Sequence, residues 1–205
     1  MANELSKDEL LSLIIKCTNF AAKKHKNQRR HDYEATPYIN HPIGVANILT
    51  EEGKVYDPNV IVAALLHDTV EDTDTSIEEI EREFGPKIKS IVAEVTDDKS
   101  LPSQERKRLQ VVHTPYISHE AKLVKLADKI YNLRDLQRCT PVGWTSTRVQ
   151  NYFQWSKDVI QGCRGTNDKL ENIFDGIVSQ QPKSNGIQWA IEYLNFVFFK
   201  PSAKS

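Results

Sequence analysis

The stretch Ala63-Ala64-Leu65-Leu66-His67-Asp68-Thr69-Val70-Glu71-Asp72 begins apolar and ends in groups that can hold a cation or move a proton. Just upstream, Asp57 suits a helix N-cap and Pro58 the first helical position. Val60, Ile61, Ala64 and Leu65 then recur at i, i+1, i+4 and i+5, the apolar face of one continuous helix. Residues four apart share a helix face, so His67 lies below Glu71 and Asp68 below Asp72. Three carboxylates crowded near a helix C-terminus oppose its dipole, and a bound cation would relieve that conflict.

Toward the N-terminus the next informative motif is Tyr38-Ile39-Asn40-His41-Pro42. Pro42 disfavours the α conformation at His41 and suits the first turn of a following helix. That sets His41 at a loop-to-helix junction, where its side chain can face a cleft. Before it, Lys23, Lys24, Lys26, Arg29 and Arg30 form a basic run, open to two readings: a solvated face or a substrate contact. The chain starts with a capping box, Ser6 with Glu9. Leu10, Leu13, Ile14, Cys17, Phe20 and Ala21 then predict a helix to about His25, with Cys17 as a small buried hydrophobe.

Toward the C-terminus, Ser76 and Glu79 form a second capping box for a helix ending at Phe84. Gly85 stops that helix and Pro86 restarts the chain. Ile88, Ile91, Val92 and Val95 mark another amphipathic helix; after it Asp97 and Asp98 read as loop caps rather than extra ligands. Glu105-Arg106-Lys107-Arg108 lies in a helix from near Ser103; its cations cannot all face one way, so one or two can serve an anion site. His113 and His119 have no partner spacing and read as surface residues.

In the helix from Ala121 to Arg138, Asp128 falls among the apolar Leu123, Val124, Leu126, Ala127, Ile130, Tyr131 and Leu133, a costly position for a carboxylate unless it is paired or metal-bound. Asn132 shares its face, and Lys125 or Arg134 would be its salt-bridge partner in a purely structural role. A helix from about Thr147 to Gly162 aligns Arg148, Tyr152 and Trp155, suited either to a nucleotide or to packing on a neighbour. Thr166 is placed to cap a last helix through Val178. Residues 181–186 read as a linker, and the apolar 187–199 segment suits packing on the domain, a homo-oligomer contact or a loose end.

Nearly every segment carries the helical period, which predicts an all-α bundle of eight to ten helices. The expected organisation is one domain over 1–180 and an apolar tail over 181–205. A net charge of −1 leaves no overall demand for nucleic acid as a partner. No stretch is long and apolar enough to span a bilayer, and no secretory signal opens the chain. Cys17, Cys139 and Cys163 are widely spaced and odd in number, which suggests reduced thiols in a cytoplasmic protein.

No Gly-rich phosphate loop, GxSxG elbow or HExxH is present. What remains is His41, His67, Asp68 and Asp128, a mixed nitrogen and oxygen set that suits manganese, iron, zinc or magnesium. Glu71 and Asp72 stand one turn beyond, placed to orient a water and move its protons.

His41…His67-Asp68…Asp128 resembles the HD phosphohydrolase signature. The fuller set, Thr36 to Pro42, Leu65 to Asp72, Val95 to Lys99 and Lys125 to Lys129, is similar to the hydrolase half of the RelA/SpoT alarmone enzymes, and most of all to the small metazoan SpoT homologues. The resemblance implies a manganese-dependent 3′-pyrophosphohydrolase acting on guanosine tetra- and pentaphosphate (ppGpp and pppGpp), with NADPH 2′-phosphatase activity at the same site, or a nucleotide-binding HD module without catalysis, as the alternatives. It also implies a metal set of His41, His67, Asp68 and Asp128 and a catalytic pair of Glu71 and Asp72. Arg30, Asn132, Arg148 and Tyr152 match positions that line the nucleotide site, and His31 stands where the family usually has Lys.

Overall fold

The computed structural model describes residues 6–180. The tail at 181–205, with its expected linker and apolar segment, lies outside the described residues. Ten α-helices and no named strand occur among the described residues, as the helical period predicts. They are α1 (Lys7–Lys24), α2 (Asn40–Asn47, continued by a π turn over Ile48–Glu52), α3 (Pro58–Leu66), α4 (Thr69–Asp72), α5 (Ile77–Phe84), α6 (Pro86–Val95), α7 (Ser103–His113), α8 (His119–Arg138), α9 (Ser146–Gln161) and α10 (Asp168–Ser179). No helix among the described residues is long and apolar enough to cross a membrane.

Two helices form the centre. Every residue of α3 from Val60 to Leu66 is buried, as expected of a helix that is apolar all round. At roughly 2 kcal/mol per buried aliphatic side chain, packing outweighs any cap in fixing where α3 lies. It packs against α1, α2, α6 and α8. The second central helix, α8, buries ten residues and also touches α2, α6, α9 and α10. Both candidate ligand helices are therefore anchored from several sides.

Local chemistry sets the ends. Ser6 and Glu9 form the complete capping box on α1, and Asp57 accepts from the Asn59 N–H at the start of α3. Gly85, at φ 89°, separates α5 from α6 in a conformation that disfavours side chains. Five expectations need correction. The helix over 58–72 is broken at His67–Asp68, because side chains take over the carbonyls that end α3. His67 Nδ1 donates to the Ala64 carbonyl at 2.7 Å, and the Thr69 hydroxyl to that of Leu66 at 2.7 Å. His41 lies inside the first turn of α2 rather than before it; Pro42 is tolerated there because an N–H at that position has no helical acceptor. At Ser76 only half the capping box forms, since Glu79 turns to Lys24 at 3.0 Å. The long helix begins at His119 under a Ser118 cap, not at Ala121. Asn167, not Thr166, caps α10.

Candidate active site

Three segments bring the donors together. His41 comes from the first turn of α2, His67 and Asp68 from the break between α3 and α4, and Asp128 from the middle of α8. The Nε2 atoms of His41 and His67 lie 3.2 Å apart. Asp68 Oδ2 is 3.3 Å from His41 and 3.0 Å from His67, and Asp128 Oδ1 is 3.2 Å and 3.7 Å from the same two nitrogens. Neighbouring donors around an ion bound at about 2.1 Å are expected about 3 Å apart, so the set fits a divalent cation. His41, His67 and Asp128 in particular offer ligand atoms all within 4.8 Å of one another.

The two imidazoles are oriented by different means. The bond from His67 Nδ1 to Ala64 leaves Nε2 facing the other donors. His41 Nδ1 is buried without a hydrogen-bond partner among the described residues. Its ring is held by packing, with Tyr131 edge-on at 4.8 Å and Tyr38 at 5.7 Å. Gly44 makes room for that packing: a Cβ there would lie 2.0 Å from the Tyr131 ring. Asp68 accepts from the Tyr38 hydroxyl at 2.7 Å. Asp128 accepts from Asn132 at 2.6 Å and from Lys129 at 2.8 Å. The structural partners expected for Asp128 are engaged elsewhere, Arg134 with Glu52 and Lys125 with Gln110.

Opposite charges stabilise one another across the site. Burial disfavours charge on His67, but Asp68 and Asp128 outweigh it and hold its pKa well above the ordinary value. Burial likewise opposes ionisation of Asp68 and Asp128; His67 beside the first and Lys129 beside the second hold both well below the carboxylate range. A divalent cation would take the place of the imidazole proton and compete with it.

Glu71 and Asp72 share one cavity of about 190 Å³ with the four donors, Arg30, Tyr38, Lys129 and Asn132. The dipole conflict expected for the three carboxylates is removed by the break, because Asp68, Glu71 and Asp72 belong to the single-turn α4 and its N-cap rather than to the end of one long helix. They are tied to side chains instead. Glu71 accepts from Arg106 at 3.2 Å and from the Asp97 N–H at 3.3 Å. Asp72 accepts from Lys99 and, at 3.2 Å, from the Gln28 amide. Burial, with the carboxylates of Asp97 and Asp68, pushes Glu71 up to about 7. Asp98 acts as the expected loop cap, accepting from the Ser100 N–H at 2.9 Å, whereas the Asp97 carboxylate accepts from the Gln110 amide at 2.8 Å.

A larger cavity of about 620 Å³ opens from this chamber and shares Arg30, Tyr38, Asp72 and Asn132 with it. His31, Trp144 and Tyr152 line its outer part. Arg30 is held by Asn132 at 2.8 Å and Asp135 at 2.9 Å. Arg148 is not in either lining; it is exposed and stacks on Trp144 at 4.2 Å. Behind Tyr152, the Lys107 and Lys129 ammonium groups lie 5.0 and 4.7 Å from the Trp155 ring centre. Burial and the nearby Arg148, Lys129 and Arg106 push the Lys107 amine down to about 8. Arg29, Arg30 and Arg138 line the larger cavity and Lys125 and Lys129 the smaller, cations suited to phosphate groups.

Sequence reasoning assigned no role of their own to Tyr38, Lys129, Lys99 or Gln28, and offered Arg106 only as one of several cations for an anion site. Tyr38 had a signal, three residues before a candidate ligand; Arg106 and Lys99 reach their partners only through the fold.

The HD domain family matches residues 17–151. Guanosine-3′,5′-bis(diphosphate) 3′-pyrophosphohydrolase MESH1 of Xenopus tropicalis is 62% identical over 170 residues, 83% of this chain and 95% of that protein. Its Homo sapiens counterpart is 58% identical over 168 residues, 82% of this chain and 94% of that protein. A solved structure described as "A metazoan ortholog of SpoT hydrolyzes ppGpp and plays a role in starvation responses" is 51% identical. It superposes with a TM-score of 0.81 and covers 87% of this chain and 98% of its own. With its four donors converged and this identity spread over nearly the whole of these relatives, the chain belongs to the HD domain family and, within it, to the MESH1 group of SpoT homologues.

Proposed function

We propose that the chain is a manganese-dependent hydrolase that releases pyrophosphate from the 3′ position of guanosine tetra- and pentaphosphate. The observation that carries this reading is the convergence of His41, His67, Asp68 and Asp128 beside a second acidic pair, in a chain whose relatives are named for that reaction. The four donors would hold manganese, which when bound supplies a Lewis acid for the phosphoryl oxygens and activates water. Glu71 is placed to orient the attacking water and take its proton, with Asp72 sharing the positioning. Attack on the phosphorus next to the ribose breaks its bond to the 3′ oxygen, which leaves as a hydroxyl, and pyrophosphate departs. Arg30 and Lys129 offset the phosphate charge, Asn132, His31 and Tyr152 face the nucleotide, and Arg148, outside the lining but stacked on the cavity residue Trp144, reaches it from the edge. The catalytic domain is taken as 1–180. Three free cysteines, two of them buried, support a reducing, cytoplasmic setting.

The test is product release from guanosine tetraphosphate and from NADPH, each with manganese and with chelator. Pyrophosphate from the first, only with manganese, is expected. Phosphate from NADPH alone would make the site a nucleotide 2′-phosphatase, and turnover of neither would overturn the reading.

A further inference from the structure

The end of α1 carries a histidine that the proposed reaction does not use. His25 is 2% exposed. Its Nδ1 lies 2.7 Å from Gln28 Oε1, and the Gln28 amide nitrogen lies 3.2 Å from Asp72 Oδ2. The chemistry fixes the direction of this chain. An ionised carboxylate only accepts, so Gln28 must turn its NH2 toward Asp72. Its carbonyl oxygen then faces His25, and only an Nδ1–H can satisfy it. In the opposite orientation two acceptors would meet at 3.2 Å, and the His25 proton would have to sit on the buried Nε2, which has no acceptor among the described residues.

His25 Nε2 is buried without a hydrogen-bond partner among the described residues. With the proton on Nδ1, that atom is a bare acceptor, which costs less to bury than an orphaned N–H. The ring also stacks on Tyr38 at 4.9 Å, and the Tyr38 hydroxyl holds Asp68. The backbone closes the same unit: the Gln28 N–H bonds the His25 carbonyl at 2.9 Å, and the Tyr38 N–H bonds the Gln28 carbonyl at 3.1 Å.

We infer that His25 is a positioning residue that holds Gln28 in one amide orientation and thereby aims the Asp72 carboxylate into the active-site chamber. The inference rests on the reading of Asp72 as a member of the catalytic pair. Of the two Asp72 oxygens, Oδ1 meets the half-exposed Lys99, so Oδ2 is the one held from within the protein.

The experiment is steady-state hydrolysis of guanosine tetraphosphate by Gln28→Leu, His25→Leu, the double variant and His25→Asn, with Asp72→Asn alongside. Gln28→Leu and His25→Leu should each lower kcat by about tenfold and move KM less than about twofold, the size expected when a partner behind a catalytic group is lost. The double variant should be no slower than either single, since both act on one carboxylate. His25→Asn, whose side-chain N–H stands where Nδ1–H does, should recover most of kcat even if its melting temperature stays lowered. Additive losses, or no rescue by Asn, would make His25 merely structural and overturn the inference. If Asp72→Asn keeps full activity, the reading of the acidic pair fails instead. A readout free of turnover is the imidazole N–H proton resonance of His25. It should be protected in the wild type and exchange rapidly in Gln28→Leu; its absence from the folded wild type would also overturn the inference.

Discussion

The two ends of the cleft are built on different terms. At the deep end, His41 and His67 have side chains 2% and 6% exposed and come from helices locked into the core. Each donor there is tied to a backbone carbonyl, a ring or a neighbouring side chain on a packed helix. At the outer end, His31 and Arg148 are exposed, and Arg148 stacks on Trp144. Chemistry needs donors fixed to a fraction of an ångström, whereas recognition of a nucleotide tolerates side chains that adjust. Changes in the deep end should therefore abolish turnover or folding, and changes at the outer end should move affinity.

The largest effect is expected from His67→Ala. It removes a donor and the link that ends α3, so kcat/KM should fall by about 10³-fold or more, with manganese content lost on dialysis. Retention of both metal and turnover would break the contrast at its strongest point. Next comes Glu71→Gln. A carboxyl pushed up to about 7 from 4.5 binds its proton more tightly in the folded chain. Metal-free stability should thus fall as pH climbs through that window and level off above it. The glutamine should remove this slope and raise stability at pH 8 by on the order of 3 kcal/mol while turnover is lost. Melting curves of the metal-free variants across pH check the sign; an unchanged slope would mean that Glu71 is not the titrating group.

Gly44→Ala pushes a methyl into Tyr131 and through it disturbs His41. A loss of about 2 kcal/mol in stability is expected, with weaker manganese binding by titration. At the outer end, Arg148→Ala should raise KM about tenfold and leave kcat and metal content alone. The smallest effect is expected from His31→Lys, which restores a charge at the cleft and should lower KM about threefold. If either substitution changed kcat more than KM, the outer end would share in the chemistry and the contrast would need redrawing.

Much of this was legible in the sequence because local rules carried it. Ser6 with Glu9, Asp57 with Pro58, and Gly85 with Pro86 end their helices as capping chemistry requires. The four candidate donors had signals of different kinds: Asp128 is a carboxylate among apolar residues, Asp68 belongs to an acidic cluster, and the two imidazoles stand in the motifs around His41 and His67. The kink at His67–Asp68 was not legible, because periodicity cannot register a side chain that takes over a backbone carbonyl. Lys129 was missed as the partner of Asp128 because adjacent residues on a helix point apart, and only their side-chain conformations bring them within 2.8 Å. Arg106 reaches Glu71, 35 residues away, only because α7 is folded against the cleft.

The dispersed origin of the donors has a consequence for the order of events in the chain's own making. Three of them lie within the first 68 residues, but Asp128 follows 60 residues later on α8. A chain emerging from the ribosome therefore carries an unfinished, acidic half-site until α8 can dock on α2 and α3. Closing so long a loop comes late in folding. The capacity to capture an ion is then a sign of completed assembly, and a refolding chain should acquire it with the last of its native packing rather than with its first helices.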